Sequence, residues 1–235
     1  VLRLLGALLI GLVALMILQP AMLLLAKSLG WRGDDQSLNL IYGTLGVHGG
    51  ALVGVLVFLR LHGLTWRTGL GLRIENAGSA FRWGLGAAVV FLPVAWVLGQ
   101  LSVLMLEAFG IEAPQQSVVK LLQELRSPVM RVYLGVFALF LAPIAEEVLF
   151  RGIMYPALKQ VGLPRAALWI TSLLFAAIHI NLMSFVPLLV LALVLVFVYE
   201  RTDNLLAPIL AHSLFNAANL FVLLAFPKAA NASPP

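Results

Sequence analysis

Seven apolar runs, broken only by short polar connections, dictate what this chain can become. They cover residues 1–26, 40–61, 83–109, 129–159, 164–180, 182–199 and 204–226. Crossing a hydrocarbon core about 30 Å thick takes about 20 helical residues, and most of these runs reach that length. No water is present there to satisfy backbone N–H and C=O groups, so each segment must bond within itself as a helix. The expectation is an all-α polytopic membrane protein with seven spanning helices, or eight if the long first or third run splits. The connections leave no room for a second domain. Residues 1–235 are therefore read as one membrane domain, with N-terminal helices over 1–109, an amphipathic connection over 111–127 and a polar-motif core over 129–226.

Composition agrees. The chain is 62% apolar and 11% charged, against about 45–50% and 25% for soluble domains. The net charge of +5 does not point to nucleic acid, because Lys and Arg in a membrane chain sit at helix ends and set orientation. With seven spans, the side holding the N-terminus carries Arg3, Arg60, Arg67, Arg73, Arg82, Lys159, Arg165 and Arg201. The opposite side carries Lys27, Arg32, Lys120, Arg126, Arg131 and Lys228, so a cytoplasmic N-terminus in a plasma (inner) membrane is expected. The first run is longer than a signal-peptide core of about 7–15 residues and reads as a retained helix. Cysteine is absent, which removes disulfides, thiolate metal sites and cysteine nucleophiles.

Against this background, charge inside a span stands out. The stretch Glu146-Glu147-x-x-x-Arg151 lies in the fourth run. Each charge near a bilayer midplane costs about 2.5–3.5 kcal/mol on insertion scales, so such a group is a candidate functional site with partners to be found. Glu147 and Arg151, four apart, share a helix face and can pair. Glu146 is turned about 100° away and stays available for chemistry. Pro143, three residues earlier, frees backbone groups where the polar segment begins. His48 in the glycine-rich second run reads as a histidine bonded to a neighbouring helix.

Two further patterns follow. Phe175-x-x-x-His179 places a ring and an imidazole on one face of the fifth helix. His212-x-x-x-Asn216 does the same for an imidazole and an amide on the seventh, a stripe that Asn219 extends. If these groups meet, they describe hydrolysis of an amide by activated water. A carboxylate in a medium of low dielectric holds protons more tightly and becomes a competent base near neutral pH. Glu146 would take a proton from water, His179 would orient that water or shuttle its proton, and His212 with Asn216 would donate to a developing oxyanion. The spacing alone leaves other roles open. The cluster would also suit a non-enzymatic scaffold or immunity protein, or a proton-coupled transporter. Two histidines plus Glu146 would also suit zinc, although no His-Glu-x-x-His pattern occurs.

Taken in order, Glu-Glu-x-x-x-Arg, Phe-x-x-x-His and His-x-x-x-Asn resemble the motifs of the CPBP family, the CAAX proteases and bacteriocin-processing enzymes also called Abi. Its best-known branch is the type II CAAX prenyl endopeptidases. Asn204-Leu-x-x-x-Ile209 extends the third motif. The resemblance covers residues 144–216 and implies an intramembrane glutamate endopeptidase. It implies Glu146 as the water-activating base, Glu147 and Arg151 as its supporting pair, and His179 as the second water-positioning group. His212 and Asn216 become the oxyanion pair, with Phe175 shaping the pocket. The family is often labelled a metalloprotease family; with Glu147 taken up by Arg151 no base would remain if Glu146 bound a metal, so no cofactor is expected, with a zinc enzyme using Glu146, His179 and His212 as the alternative. The partners expected are membrane lipid and a peptide or membrane-protein substrate, lipidated or not, and no nucleic acid.

Overall fold

The computed structural model describes residues 36–111, 117–125 and 127–226, with scattered positions between 21 and 30. The first expected span, the polar connection with Asp34 and Asp35, and the tail after residue 227 lie outside the described residues. Every described element is a helix. They are α1 (Gln36–Leu61), α2 (Trp66–Leu70), α3 (Ala77–Ala108), α4 (Ser117–Glu124), α5 (Pro128–Gln160), α6 (Pro164–Ala177), α7 (Leu182–Thr202) and α8 (Leu206–Ala225).

Five of these, α1, α3, α5, α7 and α8, are long and apolar enough to cross a membrane. The protein is a polytopic all-α membrane protein. The fifth expected span is shorter in the structure. Helix α6 has 14 residues, about 21 Å at 1.5 Å per residue, because the chain turns at Ile178–Ile180 and Ile180 adopts a left-handed φ of 48°. Helix α3 starts six residues before the expected 83, at Ala77. Arg82 looked like a polar boundary but is carried on the helix. The amphipathic element at 117–124 forms, with Leu122 buried and Lys120 and Glu124 exposed on α4.

The chain divides into two compact units. The first comprises described residues up to Leu72 together with Leu141–Ala167; the second comprises Arg73–Phe140 and the chain from Leu168 onward. The motif-bearing segment 129–226 contributes to both.

In the first unit, α1 and α2 pack against the later part of α5. Helix α2 is one short turn that a basic connection conceals in the sequence. Thr65 caps it by a reciprocal bond with Thr68, and Gly71, at φ 72°, closes it with N–H bonds from Gly71 and Leu72 to Arg67 and Trp66.

In the second unit, α3 lies against α7 and α8. Its buried stripe is Ala80, Gly84, Ala88, Phe91, Ala95, Ser102 and Leu106. Small residues at four-residue steps let backbones approach, since lipid removes the hydrophobic drive between helices and leaves packing to hold them. Helix α7 answers with Ser184, Leu188, Leu191, Leu195, Val198 and Thr202. Trp96 on α3 donates to Asn219 on α8 at 3.4 Å, so Asn219 joins two helices. Large apolar side chains such as Val89, Val90, Phe197 and Phe221 stay exposed, the outward face a lipid-embedded helix requires.

Asn204, completely buried, ties the ends of these helices together. Its amide donates to Arg73 O and Asn76 Oδ1, both at 2.6 Å, and accepts from Leu206 N at 3.0 Å.

Helices α3 and α8 come close at Gly84, where an added Cβ would lie 2.7 Å from Ala207 O and 3.2 Å from Leu210 Cβ. The first of these is backbone and cannot swing aside. Gly84→Ala is expected to force α3 from α8 and destabilise the protein by about 1–3 kcal/mol, read as an earlier thermal transition in detergent.

Candidate active site

The carboxylates stand on an unusual stretch of helix. Helix α5 widens to π geometry at Phe137–Leu141, returns to α geometry over Ala142–Glu147, and widens again at Val148–Met154. Each wide segment is followed closely by a proline, Pro143 or Pro156. Proline has no N–H and its ring opposes the carbonyl four residues back. In the i→i+5 bonding of a π turn, the residue opposite Pro143 is Ala138, whose carbonyl thereby loses its donor. Asn216 supplies one, donating from Nδ2 to Ala138 O at 2.8 Å. Wide turns of this kind recur at functional sites.

In the first unit, Arg151 Nη1 donates to Glu147 Oε1 at 2.9 Å, with the side chains 1% and 0% exposed. A cation and an anion shielded this completely neutralise each other in a medium that screens little. Glu146 is placed differently. Its side chain keeps 18% of its exposure, and Oε1 lies 3.5 Å from Nε2 of His48 on α1. Nδ1 of His48 is 3.1 Å from Thr44 O. A carbonyl only accepts, so Nδ1 carries a hydrogen; Nε2 donates to an ionised Glu146 when the ring is an imidazolium, or accepts from a protonated Glu146 when the ring is neutral.

In the second unit, Phe175 is fully buried on α6 and touches two imidazoles. Its ring centroid lies 5.1 Å from His179 and 5.6 Å, edge-on, from His212. His212 is buried on α8. His179 is exposed, in the turn just after α6, and donates Nδ1–H to Phe175 O at 2.7 Å. The next residue, Ile180, is β-branched and left-handed, a conformation that costs roughly 1–3 kcal/mol. Asn216, with one amide hydrogen on Ala138, retains a second.

The structure thus gathers Glu146, Glu147, Arg151 and His48 in one unit and Phe175, His179, His212 and Asn216 in the other. Among the described residues, no three His, Asp or Glu side chains are grouped as metal ligands. His48, expected to bond to a neighbouring helix, meets α5 at Glu146, a partner the sequence did not name. The signal that could have found it is the rule that an ionisable group inside a span needs a partner.

Residues 128–218, from the first residue of α5 into α8, match the family described as Type II CAAX prenyl endopeptidase Rce1-like. Over those residues this chain is similar to that family. The matched segment contains each motif residue from Glu146 to Asn216 and leaves out His48. The chain is 35% identical over 86 residues to YpbD of Bacillus subtilis (strain 168), covering 35% of this chain and 41% of YpbD. It is 26% identical over 167 residues to YdiL of the same organism, named as a candidate membrane peptidase, covering 70% of this chain and 64% of YdiL. In both cases the chain spans less than two thirds of the relative. No solved structure matches it at a significant level.

Removing one partner of the buried pair leaves the other charge uncompensated. Arg151→Met is expected to cost about 3–5 kcal/mol. The double variant Glu147→Gln/Arg151→Met should regain most of it, as read by thermal unfolding of the purified protein.

Proposed function

We propose that this protein is an intramembrane endopeptidase that hydrolyses a peptide bond with water activated by Glu146. The observation that carries the reading is the division of labour between adjacent carboxylates. Arg151 is bound to Glu147, whereas Glu146 is partly exposed beside an imidazole. One carboxylate is held in an ion pair and the other is placed to exchange a proton. The similarity to the Rce1-like family supports the same reaction class.

In this mechanism Glu146 accepts a proton from water as the oxygen attacks the scissile carbonyl carbon. The roles of the second unit's groups come from the motif resemblance: by it His179 orients the water or carries its proton, and His212 and Asn216 donate to the oxyanion. Within that unit Phe175 packs against both imidazoles. The C–N bond then breaks and the proton held by Glu146 passes to the leaving amine. The chemistry closes without a cofactor. The substrate is a peptide or membrane-protein segment in a plasma (inner) membrane. A lipid-modified C-terminal peptide suits a site reached from the bilayer.

The test uses the full chain in liposomes with internally quenched peptides, one farnesylated near its C-terminus and one unmodified. Glu146→Gln is expected to lower kcat by about 10²–10⁴-fold, the usual contribution of a positioned acid or base, while the fold persists by circular dichroism. Unchanged cleavage by the variant would overturn the reading in favour of a scaffold. Treatment with 1,10-phenanthroline is expected to leave the rate unchanged; inhibition reversed by added zinc would make Glu146, His179 and His212 metal ligands.

A further inference from the structure

We infer that His48 is a positioning residue for Glu146, supplied by a helix outside the segment that matches the Rce1-like family. The inference rests on Glu146 being the base, as proposed above. Three observations carry it. First, the Nε2–Oε1 separation is 3.5 Å, across 98 residues of sequence, in a helix whose composition otherwise serves packing. Second, the ring is fixed at its far side by Nδ1–H donating to Thr44 O. The orientation and the nitrogen facing the carboxylate are therefore both set. Third, Thr44 is itself anchored, its hydroxyl donating to Leu40 O at 2.7 Å.

A carboxylate on a helix can rotate about its terminal torsions, which are broad and weakly restrained. A base must keep one oxygen aimed at water throughout the reaction, and a misplacement of about 1 Å can cost on the order of 100-fold. As the imidazolium, His48 restricts that freedom by donating Nε2–H to Oε1. Glu147 cannot serve this purpose because Arg151 holds it. The neighbouring helix α1 supplies the restraint instead.

The arrangement extends the catalytic apparatus toward the N-terminal part of the chain, where no motif marks it. Its chemistry is also specific. The atom that matters is the N–H donor that the imidazolium presents at Nε2, which a glutamine amide can replace and an alanine cannot.

The test compares His48→Ala, His48→Gln and Glu146→Gln in the full chain in liposomes, using the farnesylated quenched peptide. His48→Ala should lower kcat by about 10–100-fold with KM little changed, and His48→Gln should recover most of the loss. In the Glu146→Gln background, His48→Ala should cause no further loss. A merely structural histidine would lower the unfolding temperature and leave kcat per folded molecule intact, and that result overturns the inference. If Glu146→Gln is inactive while His48→Ala matches the native rate, the inference fails and the glutamate reading stands. If Glu146→Gln retains full activity, both fail together. A readout independent of turnover is the ¹⁵N shift of the His48 Nε2 resonance. The chain has four histidines, so single variants assign it. The shift should move on Glu146→Gln, and an unmoved resonance overturns the contact.

Discussion

The buried pair between Glu147 and Arg151 is the interaction on which the rest of this site depends. A lone carboxylate or guanidinium without water would carry a desolvation penalty of several kcal/mol. Together, at 2.9 Å, they make a charged segment tolerable inside a helix otherwise built of apolar residues. That tolerance lets a second carboxylate stand next to the first. With Arg151 bonded to Glu147, Glu146 lies against an imidazole, a group able to exchange a proton. A carboxylate fixed in an ion pair and one set beside an imidazole thus stand at adjacent positions on one helix, about 100° apart.

Much of this was legible because membrane helices obey few rules. Apolar length located α1, α5 and α7 to within a few residues, and the i, i+4 spacing of Glu147 and Arg151 sufficed to foresee their pairing. Other features escaped for definite reasons. The end of α6 depends on a left-handed Ile180, a conformation no β-branched residue announces. The single turn of α2 was masked by its basic neighbours, although Thr65, Thr68 and Gly71 together spell its caps. Asn204 looked like an extension of a motif and proves to be the tie between the start of α3 and the α7–α8 turn. His48 lay in a glycine-rich run with no spacing relation to any acid, so the rule that an intramembrane charge needs a partner called for such a group and the fold identified it.

The histidines share a device. His48, His62 and His179 each donate Nδ1–H to the carbonyl four residues earlier, at Thr44, Phe58 and Phe175. A helix thus fixes the tautomer of its own imidazole without help from another side chain. Each ring is left with Nε2 as its working nitrogen. Such second contacts, which orient a group by holding its far side, are as much a part of a site as the atoms that react.

The wide turns of α5 have a consequence for how the site is encoded. Each takes in one more residue than an α turn, so every side chain beyond it is advanced in angle. The face that buries Leu134 and Gly135 early in α5 therefore does not continue in phase to the face bearing Glu147 and Arg151. No single helical wheel describes the element. A residue gained or lost between Leu134 and Glu146 would turn both carboxylates by about 100° while leaving the hydropathy of the span almost untouched. The aim of the carboxylates is written in the number of residues that precede them, a property invisible to any profile of polarity.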